Sequence, residues 1–391
     1  MKIVHIITRL VIGGAQENTL ITCREQKKDG HEVTLITGDD RRGEGTLIET
    51  AKAWGIEVIN VPQLVRQIRP CKELKGFFAL KSVLRDLDPD IIHTHSAKAG
   101  ILGRAAGAAI RRKTDNGRHR PLIVHGVHGL PFHEYQPAII NWIYILLERH
   151  YAKKTDAYVC VADTMAEKSL ARGIGSKDMY TTAYSAMEVE EFLQPPQPET
   201  IAQFREKYNI PQDAKVIVKI ARLADLKGHE YVIQSARELA EKHPDCIWLF
   251  VGSGLLEAKL RDMIDAANLT DRFRFTGLLE PSMIPLVIHS SDILVHCSLR
   301  EGLARVLPQS LLCATPAVSF DIDGAKEVIN ENTGFLLPPR DIPALVDACD
   351  KLLSDEDLRK QLGKNGQDLV REMFTPRRMA QTVEAVYRSI I

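Results

Sequence analysis

VIVKIARLADLKGHEYVIQSA, residues 216–236, and SDILVHCSLREGLARVLPQSLLC, residues 291–313, are the two stretches that decide the fold. In the first, the β-branched run from Val216 to Ile220 reads as a strand, Arg222, Lys227 and Gly228 as a turn, and the pattern from His229 onward as a helix. In the second, Ile293 to His296 reads as a strand and Glu301 and Gly302 as a loop, with a helix beginning near Ala304 and Gln309 two turns into it. Strand, turn and helix in repetition describe α/β material. Free N–H groups and the positive end of a helix dipole attract phosphate at such turns, and Arg222 and Lys227 add full charges. The amides of Gly302, Leu303, Ala304 and Arg305 offer further donors, and the Glu301 carboxylate can accept from sugar hydroxyls. The Gln309 amide can bond a vicinal diol such as ribose. A lone basic pair is an ordinary solvated loop feature. The second stretch is what turns the pair toward a sugar nucleotide.

These segments resemble the nucleotide half of the retaining glycosyltransferases of family 4, also called glycosyltransferase group 1, and the resemblance runs over nearly the whole chain. GSGLLEAKL from Gly252, TGLLEPSMIP from Thr276, FDIDGAKEVI from Phe320 and TGFLLPP from Thr333 stand in the family's order. The resemblance implies a GT-B fold: two Rossmann-like, doubly wound α/β domains facing across a cleft, with a C-terminal helix returning to the first. It implies that Arg222 and Lys227 grip the donor diphosphate and that Glu301 holds the transferred sugar. Gln309 stands where the family usually has a glutamate for the ribose. Gly252, Leu278 and Leu279 fall on the nucleoside side, the two leucines where the base is read through backbone groups.

The opening, MKIVHIITRLVIGGAQENTLI, gives a strand from Ile3 to Ile7, a loop with Gly13 and Gly14, and a helix from Ala15. The glycines allow a ligand close to the backbone. A dinucleotide site is disfavoured, because the full glycine fingerprint is absent and GDD at Gly38 is followed by arginines. By resemblance, the loop at Gly13 and Gly14 lies beside the donor phosphates. Histidines cluster in HTHSAKAG from His93 and HGVHGLPFHEY from His125, each after an apolar run that reads as a strand. The carboxyl edge of an open α/β sheet is where ligands bind. The resemblance makes His128 the sugar-contacting histidine, with His95 and Lys98 as acceptor-side candidates.

His93, His95, His125, His128 and His133 can also be written as a metal set, but no carboxylate or cysteine completes a usual spacing. Asp88 and Asp90 precede their strand, and Asp321 and Asp323 sit within the family-like segment, so neither acidic pair reads as a metal motif. The expectation is no metal and no cofactor, with a nucleotide sugar, UDP-linked by family habit, as substrate.

The 391 residues, 45% apolar and 26% charged, suit two soluble domains. The expected division is 1–190, 191–375 and a final helix 376–391, with the linker near the prolines of FLQPPQPET, residues 192–200. YSAMEVEEF from Tyr184 departs from the family's NGVD-type segment at Ser185, Ala186 and Glu188. Formal net charge is zero, yet residues 1–190 carry 27 Lys+Arg against 22 Asp+Glu and the remainder 24 against 29, which is +5 against −5. The excess gathers at Arg66, Arg69, Lys72, Lys75 and Lys81, and from Arg104 through Arg111, Arg112, Lys113, Arg118 and Arg120. Such stripes can meet anionic lipid, although a solvated face is the commoner meaning. Nucleic acid is excluded as partner by the absence of a recognition signature and by 6% aromatic content.

Seven scattered cysteines suit a reducing compartment. No span approaches the ~20 apolar residues of a membrane helix, and AIINWIYILLERHYAKK from Ala138, the best membrane candidate, reads as a buried domain helix with a basic end, with interfacial contact as the alternative. These features lead to the expectation of a cytoplasmic enzyme, peripheral at most. It would move a sugar to an acceptor hydroxyl of a glycan or lipid-linked molecule, in the manner of bacterial envelope-polysaccharide enzymes. A nucleotide-sugar epimerase or hydrolase would keep the same phosphate grip without an acceptor. A silent scaffold would bind nucleotide without turnover.

Overall fold

Buried runs of Ile and Val satisfy their backbone groups against one another, and here they pair into two all-parallel sheets. The structure is a computed structural model and describes residues 1–39, 46–65, 67, 69–114, 117 and 119–391. The first sheet comprises β1 (Lys2–Ile7), β2 (Glu32–Thr37), β3 (Glu57–Asn60), β4 (Ile91–His95), β5 (Leu122–Val127), β6 (Ala157–Cys160) and β7 (Tyr180–Thr182). Its order is β3-β2-β1-β4-β5-β6-β7. The second comprises β8 (Val216–Ile220), β9 (Ile247–Val251), β10 (Phe273–Phe275), β11 (Ile293–His296), β12 (Ala317–Phe320) and β13 (Gly334–Leu337), in the order β10-β9-β8-β11-β12-β13. Both orders reverse direction once, between β1 and β4 and between β8 and β11. Ligands of open α/β sheets bind beyond the strand ends at such a reversal.

Each sheet belongs to its own unit. One unit is Met1–Met187 with Phe374–Ile391, and the other is Glu188–Met373. The helices that matter below are α1 (Gly14–Lys28), α2 (Pro70–Leu87), α3 (Ala97–Ile110) and α4 (Ala138–Ala152) in the first unit, α5 (His229–Lys242) and α6 (Val306–Leu312) in the second, and α7 (Pro376–Ile390), which rejoins the first. The apolar stripe of α7 explains that return. Met379, Val383, Val386 and Tyr387 sink into a core with Ile3, Ile91 and Val124. Each such burial stabilises by about 1.5–3 kcal/mol.

Three expectations are corrected by the structure. Pro198 belongs to no spacer. It opens the helix Pro198–Lys207, where its missing N–H and fixed φ cost nothing. The segment from Ala138 does form a helix, but it is not buried: Ile139, Trp142, Ile143 and Leu146 are 60%, 58%, 42% and 41% exposed. Its inward face is instead supplied by Ala152 and Glu148.

Glu148 explains the third correction. Arg104, which the charge pattern assigned to a basic stripe, is fully buried on α3 and bonded at 2.8 Å to both Glu148 carboxylate oxygens. Others of that stripe are neutralised as well: Arg111 pairs with Asp156, Arg112 with Asp88, and Arg120 with Asp88 and Asp90. Arg66 and Arg118 lie outside the described residues. No helix among the described residues is long and apolar enough to cross a membrane.

Candidate functional site

In the second unit, the sheet edge at the β8–β11 reversal gathers the residues that the sequence singled out. After β8 the chain turns back at Gly228, whose φ of +70° only glycine adopts without strain, and an added Cβ would lie 1.9 Å from the Cys297 carbonyl oxygen. That close approach brings the Lys227 loop against the Glu301 loop. The result is a direct ion pair between the Lys227 ammonium and the Glu301 carboxylate, each side chain about one-fifth exposed. The resemblance gives the two residues separate tasks, one on phosphate and one on sugar, and here they hold each other.

Burial pushes the Glu301 carboxyl up, but the neighbouring His296 ring and Lys227 ammonium outweigh it and hold Glu301 well below the usual carboxylate range. His296 Nε2 stands 3.8 Å from Glu301, beyond hydrogen-bond range. Burial also lowers the pKa of His296 itself. The Lys227 contact is therefore the principal stabilising interaction. Sequence reasoning missed His296, whose Nδ1 is 3.0 Å from Ser319 Oγ. It also missed Asp323, whose Oδ2 accepts the Glu301 backbone N–H at 2.7 Å, while the Gly324 N–H donates to the Gly302 carbonyl at 2.9 Å. The FDIDG segment thus works as a clamp on the Glu301 loop. A further buried cation, Lys219, stands on β8 with its pKa lowered by desolvation. Only the packing reveals it, since a lysine inside VIVKI carries no motif.

Arg222 is exposed at the end of β8. Gly302, Leu303 and Ala304 are buried, and Arg305 immediately precedes α6. That helix starts at Val306, so Gln309 lies in its first turn, half-buried, and not two turns in. Pro308 accounts for the late start, because proline is accommodated only within the first turn of a helix. On the nucleoside side, Gly252 (φ +130°) donates its N–H to the Gly277 carbonyl at 3.0 Å, and a Cβ there would meet Ala221 O at 2.2 Å. Leu278, next to that bridge, is 60% exposed, and Leu279 is half-buried.

The first unit carries its own group at the β1–β4 reversal. Gly13 precedes α1, which begins at Gly14, and an added Cβ on Gly13 would lie 2.9 Å from Gln16 Oε1. His95 ends β4, and His128 follows β5 directly. His95 Nδ1 and His128 Nε2 are 2.9 Å apart. His5, absent from the sequence-level candidates, extends the row: its Nδ1 is 2.9 Å from His95 Nε2, and its Nε2 is 2.7 Å from Gln26 Oε1. Burial lowers the pKa of His5 and of His128 to about 4 and that of His95 well below its ordinary value, so all three rings are neutral at pH 7. Lys98 is engaged elsewhere, with the Glu73 carboxylate and, at 3.1 Å, with the Gln67 carbonyl. His125 bonds Thr94 Oγ1 at 2.9 Å and points away from this row.

His5, His93 and His95 are the one group of possible metal ligands close enough for a single ion among the described residues. Their chemistry fits an ion poorly. Two of the three ligand nitrogens are already committed to each other at 2.9 Å, and of the three only His93 Nε2 lacks a partner among the described residues.

A family model described as Glycosyl transferases group 1 matches residues 200–369, and one described as Glycosyltransferase Family 4 matches residues 12–181. The UDP-Gal:alpha-D-GlcNAc-diphosphoundecaprenol alpha-1,3-galactosyltransferase of Escherichia coli is 24% identical over 100% of this chain and 97% of its own length. The alpha-D-kanosaminyltransferase of Streptomyces kanamyceticus is 27% identical over 62% of this chain and 63% of its own. Among solved structures, Anabaena Alr3699/HepE in complex with UDP and glucose superposes with a TM-score of 0.83 at 18% identity, covering 100% of both chains.

Proposed function

Given that this chain belongs to the group 1, family 4 glycosyltransferases, we propose that it moves a sugar from a UDP-sugar to an acceptor hydroxyl, with retention of configuration and without a metal ion. The observation that carries the reading is the Lys227–Glu301 pair at the β8–β11 reversal. It sets a cation for the departing diphosphate beside an ionised acceptor for sugar hydroxyls.

In this mechanism negative charge grows on the leaving diphosphate, and stabilising that charge is the largest demand of the step. Arg222 and Lys227 meet the phosphate oxygens, with help from the amides of Gly302, Leu303, Ala304 and Arg305. Glu301, held in place by Asp323, accepts from the sugar. Gln309 bonds the ribose as a neutral donor and acceptor, and the backbone near Gly252, Leu278 and Leu279 meets the base. In the first unit, the family resemblance assigns Gly13 and Gly14 to phosphate and His128 to the sugar. Metal independence rests on these cations taking the role an ion would otherwise fill.

The acceptor is proposed to be a glycan or lipid-linked glycan of the cell envelope or an exopolysaccharide, in keeping with the E. coli relative. Membrane contact would run through α4. Ile139, Trp142, Ile143 and Leu146 recur at helical spacing on its exposed side, and Arg149, Lys153 and Lys154 stand at its end. An exposed apolar stripe with a basic end suits the boundary of an anionic bilayer. Sedimentation with phosphatidylglycerol vesicles at low salt tests this, and equal binding by wild type and Trp142→Glu would remove α4 from the reading.

The reaction itself is tested by nucleotide release from UDP-, GDP- and ADP-sugars with chelator present. Chelator-resistant release from one donor that rises with added acceptor and is lost in Arg222→Ala and Glu301→Ala is expected. Release indifferent to any acceptor would point to a hydrolase. Nucleotide binding without release, even with acceptor, would point to a scaffold.

A further inference from the structure

The histidine row in the first unit has a direction, set at one end. Gln26 Nε2 donates to the Tyr387 hydroxyl at 3.2 Å, which leaves Gln26 Oε1 as the atom facing His5 Nε2 at 2.7 Å. An amide oxygen only accepts, so His5 carries its proton on Nε2. Its Nδ1 is then a bare lone pair and must accept from His95 Nε2–H, 2.9 Å away. By the same step His95 Nδ1 is bare and accepts from His128 Nε2–H at 2.9 Å. Each neutral ring has one donor and one acceptor, so the choice made at Gln26 passes undiminished along three rings. The last nitrogen, His128 Nδ1, has no hydrogen-bond partner among the described residues.

We propose that Gln26, His5 and His95 are positioning residues that lock His128 as the Nε2–H tautomer, so that His128 Nδ1 serves the reaction as a hydrogen-bond acceptor for a hydroxyl of the transferred sugar. The second half rests on the reading of His128 as the sugar-contacting histidine. The first half stands on the hydrogen-bond geometry alone. Tyr387 belongs to the same arrangement from the C-terminal side: it accepts from Gln26, and its hydroxyl lies 2.6 Å from His93 Nδ1. Burial keeps His5, His95 and His128 from gaining the second proton that would erase the direction of the row.

The consequence for specificity is definite. A bare imidazole nitrogen rewards a substrate hydroxyl that can donate and penalises an ether or fluorine at the same position, because a buried acceptor is then left unpaired.

Two-bond proton–nitrogen correlation spectra of the full chain labelled with 15N-histidine test the proposal without any substrate. His128 is assigned by the signal missing in His128→Gln. The expected result is a protonated Nε2 and a bare Nδ1 at His128 in wild type, and a mixture of both tautomers in His95→Phe and Gln26→Leu. A reversed Gln26 amide would invert every donor in the row, so a wild-type spectrum with the proton on His128 Nδ1 overturns the proposal. An unchanged His128 spectrum in folded His95→Phe overturns it as well. In donor turnover, the two variants should lose about tenfold in kcat/KM while keeping the wild-type unfolding midpoint within a few degrees. Undiminished turnover in His128→Ala would remove the sugar contact, and with it the acceptor half, while the spectrum continues to judge the relay.

Discussion

The Lys227–Glu301 pair makes a prediction of opposite signs for binding and turnover. On the proposed reading, the donor diphosphate must take the Lys227 ammonium from the Glu301 carboxylate that pairs with it. Free UDP has no sugar for Glu301 to hold, so toward UDP this carboxylate is only a competitor and a like charge. Both side chains are about one-fifth exposed, which places the effective dielectric between the protein-surface and bulk-water values. With the carboxylate about 6 Å from a phosphate charge and a dielectric of about 40–80, the repulsion is about 0.7–1.4 kcal/mol. Glu301→Gln should therefore tighten UDP binding by about threefold to tenfold. The same variant should lose about a hundredfold or more in sugar transfer, because a neutral amide accepts from hydroxyls more weakly than a carboxylate. Lys227→Met should weaken UDP binding by about tenfold or more. Isothermal titration calorimetry with UDP, free of metal, measures all three proteins. Weaker UDP binding by Glu301→Gln would refute the competition and make Glu301 a direct support of the nucleotide.

Other outcomes follow from the same geometry. Gly228→Ala should destabilise the second unit by about 2–5 kcal/mol through left-handed strain and the clash with the Cys297 carbonyl, read by urea unfolding. Arg104→Met should cost about 3–5 kcal/mol by stranding the buried Glu148 charge, and Arg104→Met with Glu148→Leu should recover most of it, so equal losses in both would contradict the pairing. His5 titrates near pH 4 when folded and near 6.5 when unfolded. The unfolded chain therefore takes up this proton first, and stability is intact above pH 7 and falls as pH drops toward 4. His5 alone should remove about 2 kcal/mol by pH 5, and a flat urea midpoint between pH 7 and 5 would contradict its buried, neutral state.

Much of the fold could be read from the sequence because parallel strands buried on both faces announce themselves as unbroken β-branched runs, as Val216–Ile220 and Ile293–His296 do. The glycine-bearing turns after β1 and β8 were equally visible. What escaped reading depends on tertiary register. His5 lies 88 positions from His93 in the chain, yet parallel pairing of β1 with β4 sets them side by side. No spacing rule reports that. The α4 helix failed for a different reason: an apolar run of its length has the same pattern whether its stripe faces a core or the exterior. Only the Arg104–Glu148 pair shows which side faces inward.

The two sheet reversals differ in their electrostatics, and the difference suits the groups that each is proposed to hold. The second unit assembles charges at its strand ends, with Arg222, Lys227, Lys219 and Glu301 near the β8–β11 reversal. Full charges suit a diphosphate whose own charge increases during transfer, since the interaction grows as the bond breaks. The first unit assembles neutral rings at its equivalent edge, each held uncharged by burial. A cation there would bind a sugar with little regard to orientation. Neutral, tautomer-fixed imidazoles instead discriminate between hydroxyls by direction, at a modest energetic gain per bond. The same topological position in two sheets that share a 3-2-1-4-5-6 order, the first with one further edge strand, thus carries charges in one and neutral rings in the other. Fold alone therefore does not assign the halves; the side chains at the two reversals do.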